Sequence, residues 1–348
     1  MMVTSPTFNP VQDQQLVERA RRFGRHIGGY SRSGVLIAAY KLGIFARLSH
    51  SSLNRQALAA ALEVDQTGIS LVVDTLIAMG YVTECGETDA VSIHPDWREA
   101  FTEGPCSLLA DLEAAEMASR VWNSLADVIS RKQETEEAYR QSLFEGRCHE
   151  YRALQAYNRL QANQVIAAVL PLLVNANQIL DIAGADGYIA DEILRRTETP
   201  TITIVDLGKA NSKCKEIFAG HVQSGRLKTV NQDVRDLALG KRFDVVLMTE
   251  VTELFDVSEK RKVLQRALDH VQENGTLIVT KLSMPKIGGS EALSIFSLKM
   301  YIKGNGSYLE TDCELAGLIA ELQIQHQQQV IADKVVFVCQ RRGASQAK

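Results

Sequence analysis

Two aspartates in the second half of the chain stand where a parallel sheet binds ligands. The segment Asp181–Gly187 reads Asp-Ile-Ala-Gly-Ala-Asp-Gly and follows a short apolar run. Its small side chains let the backbone come close to a bound molecule. Asp206 ends a second apolar run, where a carboxylate can accept hydrogen bonds from both hydroxyls of a ribose. This placement suits any adenosine-containing cofactor and does not by itself select one.

Other cofactor classes lack their sequence patterns. The sequence from Gly184 onward, Gly-Ala-Asp-Gly-Tyr-Ile, fails the G-x-G-x-x-G pattern of nicotinamide sites at two of its three glycines. The chain has no GxxxxGK[ST] loop for a nucleoside triphosphate. Its 6 cysteines are scattered without a CxxC pair, and its 7 histidines form no HxH or HExxH group. No metal site is therefore predicted.

The elements around the two aspartates alternate between strand and helix over residues 171–348. Apolar runs predict five strands, and a closing pair, QIQHQQQV and KVVFVCQRR, predicts a hairpin. This order is typical of an α/β fold with a doubly wound, Rossmann-like parallel sheet and a terminal antiparallel hairpin. Ligands of such sheets bind at the carboxyl ends of the strands.

Residues 1–105 have a different pattern, with three helices followed by two short strands, which predicts a winged helix. Winged helices often read DNA through the third helix, here 65–80, but that stretch has no Arg or Lys. Over residues 35–97, three basic residues stand against seven acidic ones, a local charge of −4 that repels a duplex. The apolar third helix favours a protein–protein surface instead. Residues 106–170 are predicted to form a helical connector.

The composition fits a soluble globular protein of two domains. The chain has 348 residues, 45% of them hydrophobic, and a net charge of −4. This charge argues weakly against a nucleic-acid or anionic-membrane partner. No apolar run approaches the roughly 20 residues that span a bilayer, and the N-terminal segment has no signal-peptide core. A cytoplasmic location is the expectation.

Several segments occur in an order that is specific as a set. They are AAYKLGIFARL, QALAAAL with LVVDTLIAMGYV, ILDIAGADG, VDLGKA, NQDV and GSYLETDCELAGLIAELQI. Together they cover roughly residues 35–340 and resemble the S-adenosylmethionine-dependent small-molecule O-methyltransferases that carry an N-terminal winged-helix dimerisation domain. The resemblance implies S-adenosylmethionine as cofactor, a homodimer formed through the N-terminal domain, and a small-molecule acceptor, aromatic or polyketide-like, of secondary metabolism.

The resemblance also implies roles for particular residues. Asp206 would bind the ribose hydroxyls, Asp233 would lie beside the adenine, and the loop from Asp181 would contact the methionine moiety. The cofactor-binding residues implied in this way are Asp181, Gly184, Gly187, Asp206, Leu207, Asp233, Val234 and Thr249. The substrate-binding residues predicted by position are His149, Tyr157, Phe255, Met300 and Tyr301. Ala183 and Ala185 depart from the family, which usually has glycine at both positions.

The largest departure is at the catalytic position. The family's general base is a histidine in a segment resembling Ile-Leu-His-Asp-Trp, and here the aligned segment, 251–255, reads Val-Thr-Glu-Leu-Phe. Glu253 takes the histidine position. An ordinary glutamate has a pKa near 4.3, about two units below that of histidine, and is therefore a weaker general base unless burial raises its pKa. Glu253 is thus a tuned base, an orienting residue or a structural one, and Glu250 is a second candidate carboxylate.

Two enzyme classes and one other class remain open from the sequence. The first is methyl transfer to a small-molecule acceptor, to oxygen in the first place with carbon or nitrogen also open, and with Glu253 as the candidate catalytic residue; an acidic acceptor or an electron-rich carbon would not need a base. The second is a methyltransferase fold that has been repurposed for a pericyclic, decarboxylating or hydroxylating reaction while it retains the cofactor. The third is a binding protein without catalysis. The fold alone does not decide among them.

Overall fold

The computed structural model divides the chain into two compact units, Met1–Met117 and Ala118–Lys348. Within the described residues, no helix is both long and apolar enough to cross a membrane. The structure describes residues 10–86, 89–104, 107–123, 125–130, 165–167, 169–173, 175–286, 289–303, 307–331 and 333–341.

The first unit is mostly helical. Its elements are α1 Pro10–Lys41, α2 Ile44–His50, β1 Leu53–Asn54, α3 Arg55–Leu62, α4 Gln66–Ala78, β2 Val82–Glu84, β3 Ala90–Ile93 and the start of α5 Leu109–Asn123. Gly43 lies between α1 and α2 with a φ of 78°. This left-handed conformation favours glycine and ends the first helix. The two expected strands pair, and β1, which the apolar pattern did not reveal, adds a third strand in the order β1-β3-β2.

The second unit contains the expected sheet. Its elements are α6 Leu125–Ile129, β4 Gln178–Ile182, α7 Tyr188–Arg196, β5 Thr201–Asp206, α8 Gly208–Ile217, α9 Ala219–Gln223, β6 Leu227–Asn231, β7 Phe243–Thr249, α10 Val257–Asp269, β8 Val271–Leu282, α11 Glu291–Lys303, α12 Asp312–Glu321, β9 Gln325–Ile331 and β10 Lys334–Gln340. The strand order is β6-β5-β4-β7-β8-β10-β9. Strands β4 to β8 are parallel, and β10 is antiparallel to both of its neighbours, so the predicted α/β fold is confirmed.

Alternate residues of each strand face opposite sides of the sheet, and both sides are covered. Val246 and Met248 pack in a core with α10 and α12, whereas Val245 and Leu247 pack in a second core with α7. Because both faces are buried, the central strands read as nearly continuous apolar runs rather than as alternating ones.

The strand order reverses direction at β4. From β4 the chain builds outward through β5 and β6, and it then returns to the other side of β4 with β7. The strands β4 and β7 pair in parallel with Ile182 opposite Met248, so the loops that follow them begin side by side. Such a switch point is where open α/β sheets bind their ligands.

Candidate active site at the sheet switch point

The loop after β4 is tightly coiled. Three of its five residues have left-handed backbones: Ala183 at φ 56°, Ala185 at φ 53° and Gly187 at φ 85°. Glycine adopts this region freely, whereas an alanine there costs about 1–2 kcal/mol. The two alanines that depart from the family pattern therefore stand at positions whose backbone favours glycine, and the loop carries strain at both of them.

The two glycines of this loop are required by packing. A Cβ added to Gly184 would lie 2.5 Å from Oδ2 of Asp181. A Cβ added to Gly187 would lie 2.6 Å from the sulfur of Cys214. Both distances are far below van der Waals contact, so the loop packs directly onto β4 and α8 only because these side chains are absent.

Asp181 is a buried acid beneath the loop. Its side chain lies in β4, the residue is 1% exposed, and no group among the described residues donates a hydrogen bond to either carboxylate oxygen. Burial, and then the nearby charge of Asp206, raise its pKa from 3.8 to about 7. A buried acid without a donor is costly when ionised, and a cationic or hydrogen-donating ligand group at this edge would reduce that cost.

Asp206 ties the end of β5 to the loop. Its Oδ2 accepts a hydrogen bond from the backbone N–H of Ala185 at 2.9 Å, and its Oδ1 accepts one from the N–H of Leu207 at 2.6 Å. The buried side chain of Asn211 donates to the carbonyl oxygens of Asp206 and Val230 at 2.7 and 2.8 Å. A carboxylate at this strand end has the acceptor chemistry that ribose hydroxyls need.

Asp233 follows β6 and caps a short 3₁₀ helix, Val234–Asp236. Its carboxylate pairs with the guanidinium of Arg235 at 2.6 Å, and Arg235 also reaches Glu259 of α10 at 3.2 Å. The hydrogen bonds from Arg235 hold the pKa of Asp233 below its usual value. Val234 is buried in the core. The sequence reasoning missed Arg235, which shares the carboxylate that was predicted to lie beside the adenine.

Glu253 lies in a buried turn after β7. Thr249 ends the strand opposite Thr280 of β8, and a 3₁₀ helix, Thr252–Leu254, begins three residues later. Glu253 is 5% exposed, and within the described residues its Oε2 accepts no hydrogen bond. Burial and then the charge of Glu250 raise its pKa from 4.5 to about 7. This is the condition under which a glutamate becomes a workable base.

Three buried lysines surround this end of the sheet, each paired with a carboxylate. Lys334 pairs with Glu250, Lys260 with Glu310 at 2.6 Å and Lys281 with Asp312 at 2.7 Å. The hydroxyl of Thr252 donates to Glu310 at 2.6 Å, which anchors the turn that carries Glu253. Sequence reasoning missed these pairs, although a lysine at the end of an apolar strand was a usable signal for Lys281 and Lys334.

The predicted substrate-binding residues are distributed differently. Phe255 is 6% exposed and packs in the core with α10 and α12. Met300 is 5% exposed, and Tyr301, next to it on α11, is 38% exposed. His149 and Tyr157 lie outside the described residues, so their roles stay predictions. Within the described residues, no group of three histidine, cysteine or acidic side chains could hold a metal ion.

A sequence profile of the O-methyltransferase domain matches residues 122–321, more than half of the chain. The chain belongs to this O-methyltransferase family. A curated relative from Streptomyces sahachiroi, 3-hydroxy-5-methyl-1-naphthoate 3-O-methyltransferase, is 28% identical over 132 residues. That alignment covers 38% of this chain and 38% of the relative.

Solved structures agree with the family fold. The mitomycin 7-O-methyltransferase superposes with a TM-score of 0.83 at 17% identity, over 94% of this chain and 99% of that one. Human N-acetylserotonin methyltransferase, solved in complex with SAM, superposes with a TM-score of 0.79 at 18% identity, over 99% of this chain and 100% of that one. The predicted O-methyltransferase family and the α/β fold are confirmed, and the ligand of the human structure agrees with the predicted cofactor.

Proposed function

We propose that this O-methyltransferase family member transfers the methyl group of S-adenosylmethionine to a hydroxyl oxygen of a small aromatic molecule, with Glu253 as general base. The observation that carries the proposal is the buried carboxyl group of Glu253 in the turn after β7. Because β7 pairs in parallel with β4, this turn begins beside the Asp181–Gly187 loop at the switch point of the sheet. A base at this position is next to the edge where an open α/β sheet binds its ligand.

The cofactor would be held by the loops after β4 and β5. The carboxylate of Asp181, which accepts no hydrogen bond from the described residues, and the strand-end carboxylate of Asp206 have the chemistry that suits a molecule with a cationic end and a ribose. S-adenosylmethionine, when bound, supplies an already activated methyl group on a sulfonium. The residues of the chain then have to orient the acceptor, exclude water and remove one proton, and orientation alone supplies much of the catalysis in such transfers.

Proton removal is assigned to Glu253. The pKa of Glu253 is raised to about 7, which is closer to the pKa near 10 of a phenol than the pKa of an ordinary glutamate is. Its Oε2 is free within the described residues to accept the proton of an acceptor hydroxyl. The Thr252–Glu310 hydrogen bond and the Glu310–Lys260 pair hold the 3₁₀ turn in place, which fixes the backbone that carries Glu253.

The acceptor class follows from the curated relative. That protein is named for a hydroxylated naphthoate, and we propose a hydroxylated bicyclic aromatic acid as the first acceptor to test here. Phe255, Met300 and Tyr301 are proposed to shape its pocket. Incubation of the purified protein with S-adenosylmethionine and a panel of hydroxynaphthoates, followed by mass spectrometry, should give a product heavier by one methylene. Absence of product across hydroxylated aromatics would contradict the proposal.

A repurposed, non-methylating enzyme is the second candidate. The strain at Ala183 and Ala185 favours this candidate. An enzyme that no longer transfers a methyl group would tolerate a distorted cofactor loop. The amount of S-adenosylhomocysteine formed per product distinguishes the two. Methyl transfer requires one molecule per product, whereas a repurposed enzyme would form product without consuming the cofactor.

The cofactor assignment is tested by binding alone. Asp206→Ala should weaken S-adenosylmethionine by about 10- to 100-fold in calorimetry, because two charge-assisted hydrogen bonds are lost. Asp206→Asn keeps one acceptor oxygen and should lie between the alanine variant and the wild type. Equal affinity in all three proteins, or preferred binding of NAD, would contradict this assignment.

We also propose that residues 13–105 form a homodimer interface. The support is an exposed aromatic surface on α1, where Phe23 and Tyr30 are 67% and 66% exposed, together with Leu71 of α4 at 63%. Light scattering at micromolar concentration should give twice the chain mass, and Phe23→Glu with Tyr30→Glu should halve it. Val330→Glu, the same change at an exposed position of β9, is the matched control and should leave the dimer intact.

A further inference from the structure

Three buried polar side chains beside the turn after β7 form one cluster, which we call the turn cluster: Thr252, Lys260 and Glu310. Each of these residues is 1% exposed. The hydroxyl of Thr252 donates to one carboxylate oxygen of Glu310 at 2.6 Å, and the ammonium of Lys260 lies 2.6 Å from the other. Glu310 therefore joins the turn that carries Glu253 to helix α10.

Lys260 also holds the chain segment to which Glu310 belongs, residues 307–311. Its ammonium donates to the carbonyl oxygen of Tyr308 at 2.7 Å and lies 4.3 Å from the centre of the Tyr308 ring. Ion pair, hydrogen bond and aromatic ring together compensate the buried charge of the lysine. The segment is thereby fixed against α10, with the Glu310 carboxylate directed at Thr252.

The same segment is bonded to α11, the helix of the proposed pocket residue Met300. The fully buried hydroxyl of Ser307 donates to the carbonyl oxygen of Met300 at 3.0 Å. The hydroxyl of Ser297, on α11, donates to the carbonyl oxygen of Leu309 at 3.2 Å. The 3₁₀ turn after β7 itself lies against α11. The turn of the proposed base and the helix of the proposed acceptor pocket are thus connected through one segment.

The buried ion pair of the turn cluster is not explained by stability alone. Apolar residues of similar volume often replace such pairs without loss of stability. An apolar cluster, however, could not accept the directed hydrogen bond from Thr252 that fixes the turn. Fine positioning of this kind matters for a reaction, because a misplacement of about 1 Å can lower a rate by about 100-fold.

We propose that Thr252 and Glu310 are positioning residues that hold Glu253 in place relative to an acceptor bound beside α11. This inference rests on the proposed function, in which Glu253 is the base. Loss of the Thr252–Glu310 hydrogen bond should lower the rate at which bound acceptor reacts, because the base is displaced. The affinity for S-adenosylmethionine should not change, because the cofactor is assigned to the loops after β4 and β5.

The first test compares three threonine variants. Thr252→Val removes the hydroxyl but keeps the shape of the side chain, and it should lower kcat for a hydroxynaphthoate by about 10- to 100-fold. Thr252→Ser keeps the hydroxyl and should retain most of the rate. Thr197→Val is the matched control, because that hydroxyl donates to the carbonyl oxygen of Ile193 at 2.7 Å at the end of α7. An unchanged kcat in Thr252→Val, or an equal loss in Thr252→Ser, would overturn the proposal.

The second test separates positioning from stability. Lys260→Met with Glu310→Met should recover most of the stability that Lys260→Met alone loses. Its kcat should still stay about 10- to 100-fold below wild type, because Thr252 has no acceptor left. Arg261→Met with Glu321→Met removes an exposed pair at 2.7 Å and is the matched control, which should keep the wild-type rate. A wild-type rate in the Lys260 and Glu310 double variant would mean that the cluster serves stability only.

Two further measurements distinguish failure of this inference from failure of the proposed function. In the Glu253→Gln background, Thr252→Val should lower the rate by no more than about twofold, because the positioned group is already gone. The N–H groups of Leu254 and Phe255 close the 3₁₀ turn with hydrogen bonds of 3.1 and 3.2 Å. They should exchange with deuterium about tenfold faster in Thr252→Val than in wild type.

These outcomes are separable. Faster exchange in Thr252→Val together with a full rate in Glu253→Gln would refute the base role and leave the anchoring of the turn standing. Unchanged exchange in Thr252→Val, or a full additional loss of rate in the Glu253→Gln background, would overturn the positioning role even if Glu253 is the base.

Discussion

Replacement of Glu253 by glutamine should make the protein more stable relative to wild type, and this difference should grow as the pH rises. In the folded state the pKa of this acid is raised from 4.5 to about 7. The folded protein therefore binds the proton more tightly than the unfolded chain does, and stability falls as the pH rises from about 4.5 through about 7. A shift of this size corresponds to about 3 kcal/mol once both pKa values are passed.

The variant removes this loss without changing the shape of the side chain. Glutamine has nearly the volume of glutamate and carries no titrating proton, so its own burial cost is the same at every pH. Between about pH 5.5 and about pH 8.5 the stability of Glu253→Gln relative to wild type should rise by about 2 kcal/mol. Stability gained at the expense of activity is the usual sign of a group that is retained for function.

The assay is hydrogen–deuterium exchange of peptides from β7, Phe243–Thr249, because these report on the unit that contains Glu253. Exchange in wild type should accelerate relative to the variant as the pH rises, after correction for intrinsic exchange. Glu273→Gln, at an exposed position of β8, is the matched control and should follow wild type. A difference between wild type and Glu253→Gln that is constant across the pH range would refute the reasoning, since it would mean that Glu253 is not held protonated by burial.

Two further predictions concern the loop after β4 and the buried pair beneath the turn. Gly187→Ala should destabilise the protein by about 2–4 kcal/mol in urea unfolding, from left-handed strain plus the collision with Cys214, and Cys214→Ala should restore only the part due to the collision. Full restoration would contradict the strain argument. Lys260→Met alone should cost about 3–5 kcal/mol because it leaves the buried charge of Glu310 without its cation, whereas Lys260→Met with Glu310→Met should cost far less. Equal costs for the single and double variants would contradict this account.

The sheet was predictable from the sequence because its physics is local. Strands buried on both faces read as apolar runs, and the acidic or small residues that end β4 and β5 mark the edge where ligands bind. The resemblance then identified the family, and it predicts that Glu253 takes the position of the family's histidine. The loop glycines could be named in advance, although the close approach of Gly187 to Cys214 appears only once α8 is packed.

The charge environment of the site was not predictable, because it depends on contacts between distant residues. Lys334 and Glu250 are 84 residues apart in the chain, and Thr252 and Glu310 are 58 apart. No local pattern brings these groups together; the antiparallel β10 and the segment before α12 do so. The raised pKa of Glu253 follows from that packing, which is why the sequence left its role open among base, orienting group and structural residue.

The proposed reaction is tested most directly by quantifying S-adenosylhomocysteine and methylated product together, with a hydroxynaphthoate as acceptor, in wild type and Glu253→Gln. Wild type should form one S-adenosylhomocysteine per product, at a rate that rises with pH to a plateau above about pH 7 as Glu253 ionises. The variant should bind the cofactor normally but turn over about 10²- to 10⁴-fold more slowly, without that pH dependence. An undiminished rate in Glu253→Gln would contradict the assignment of the base, and product formed without S-adenosylhomocysteine would contradict methyl transfer itself.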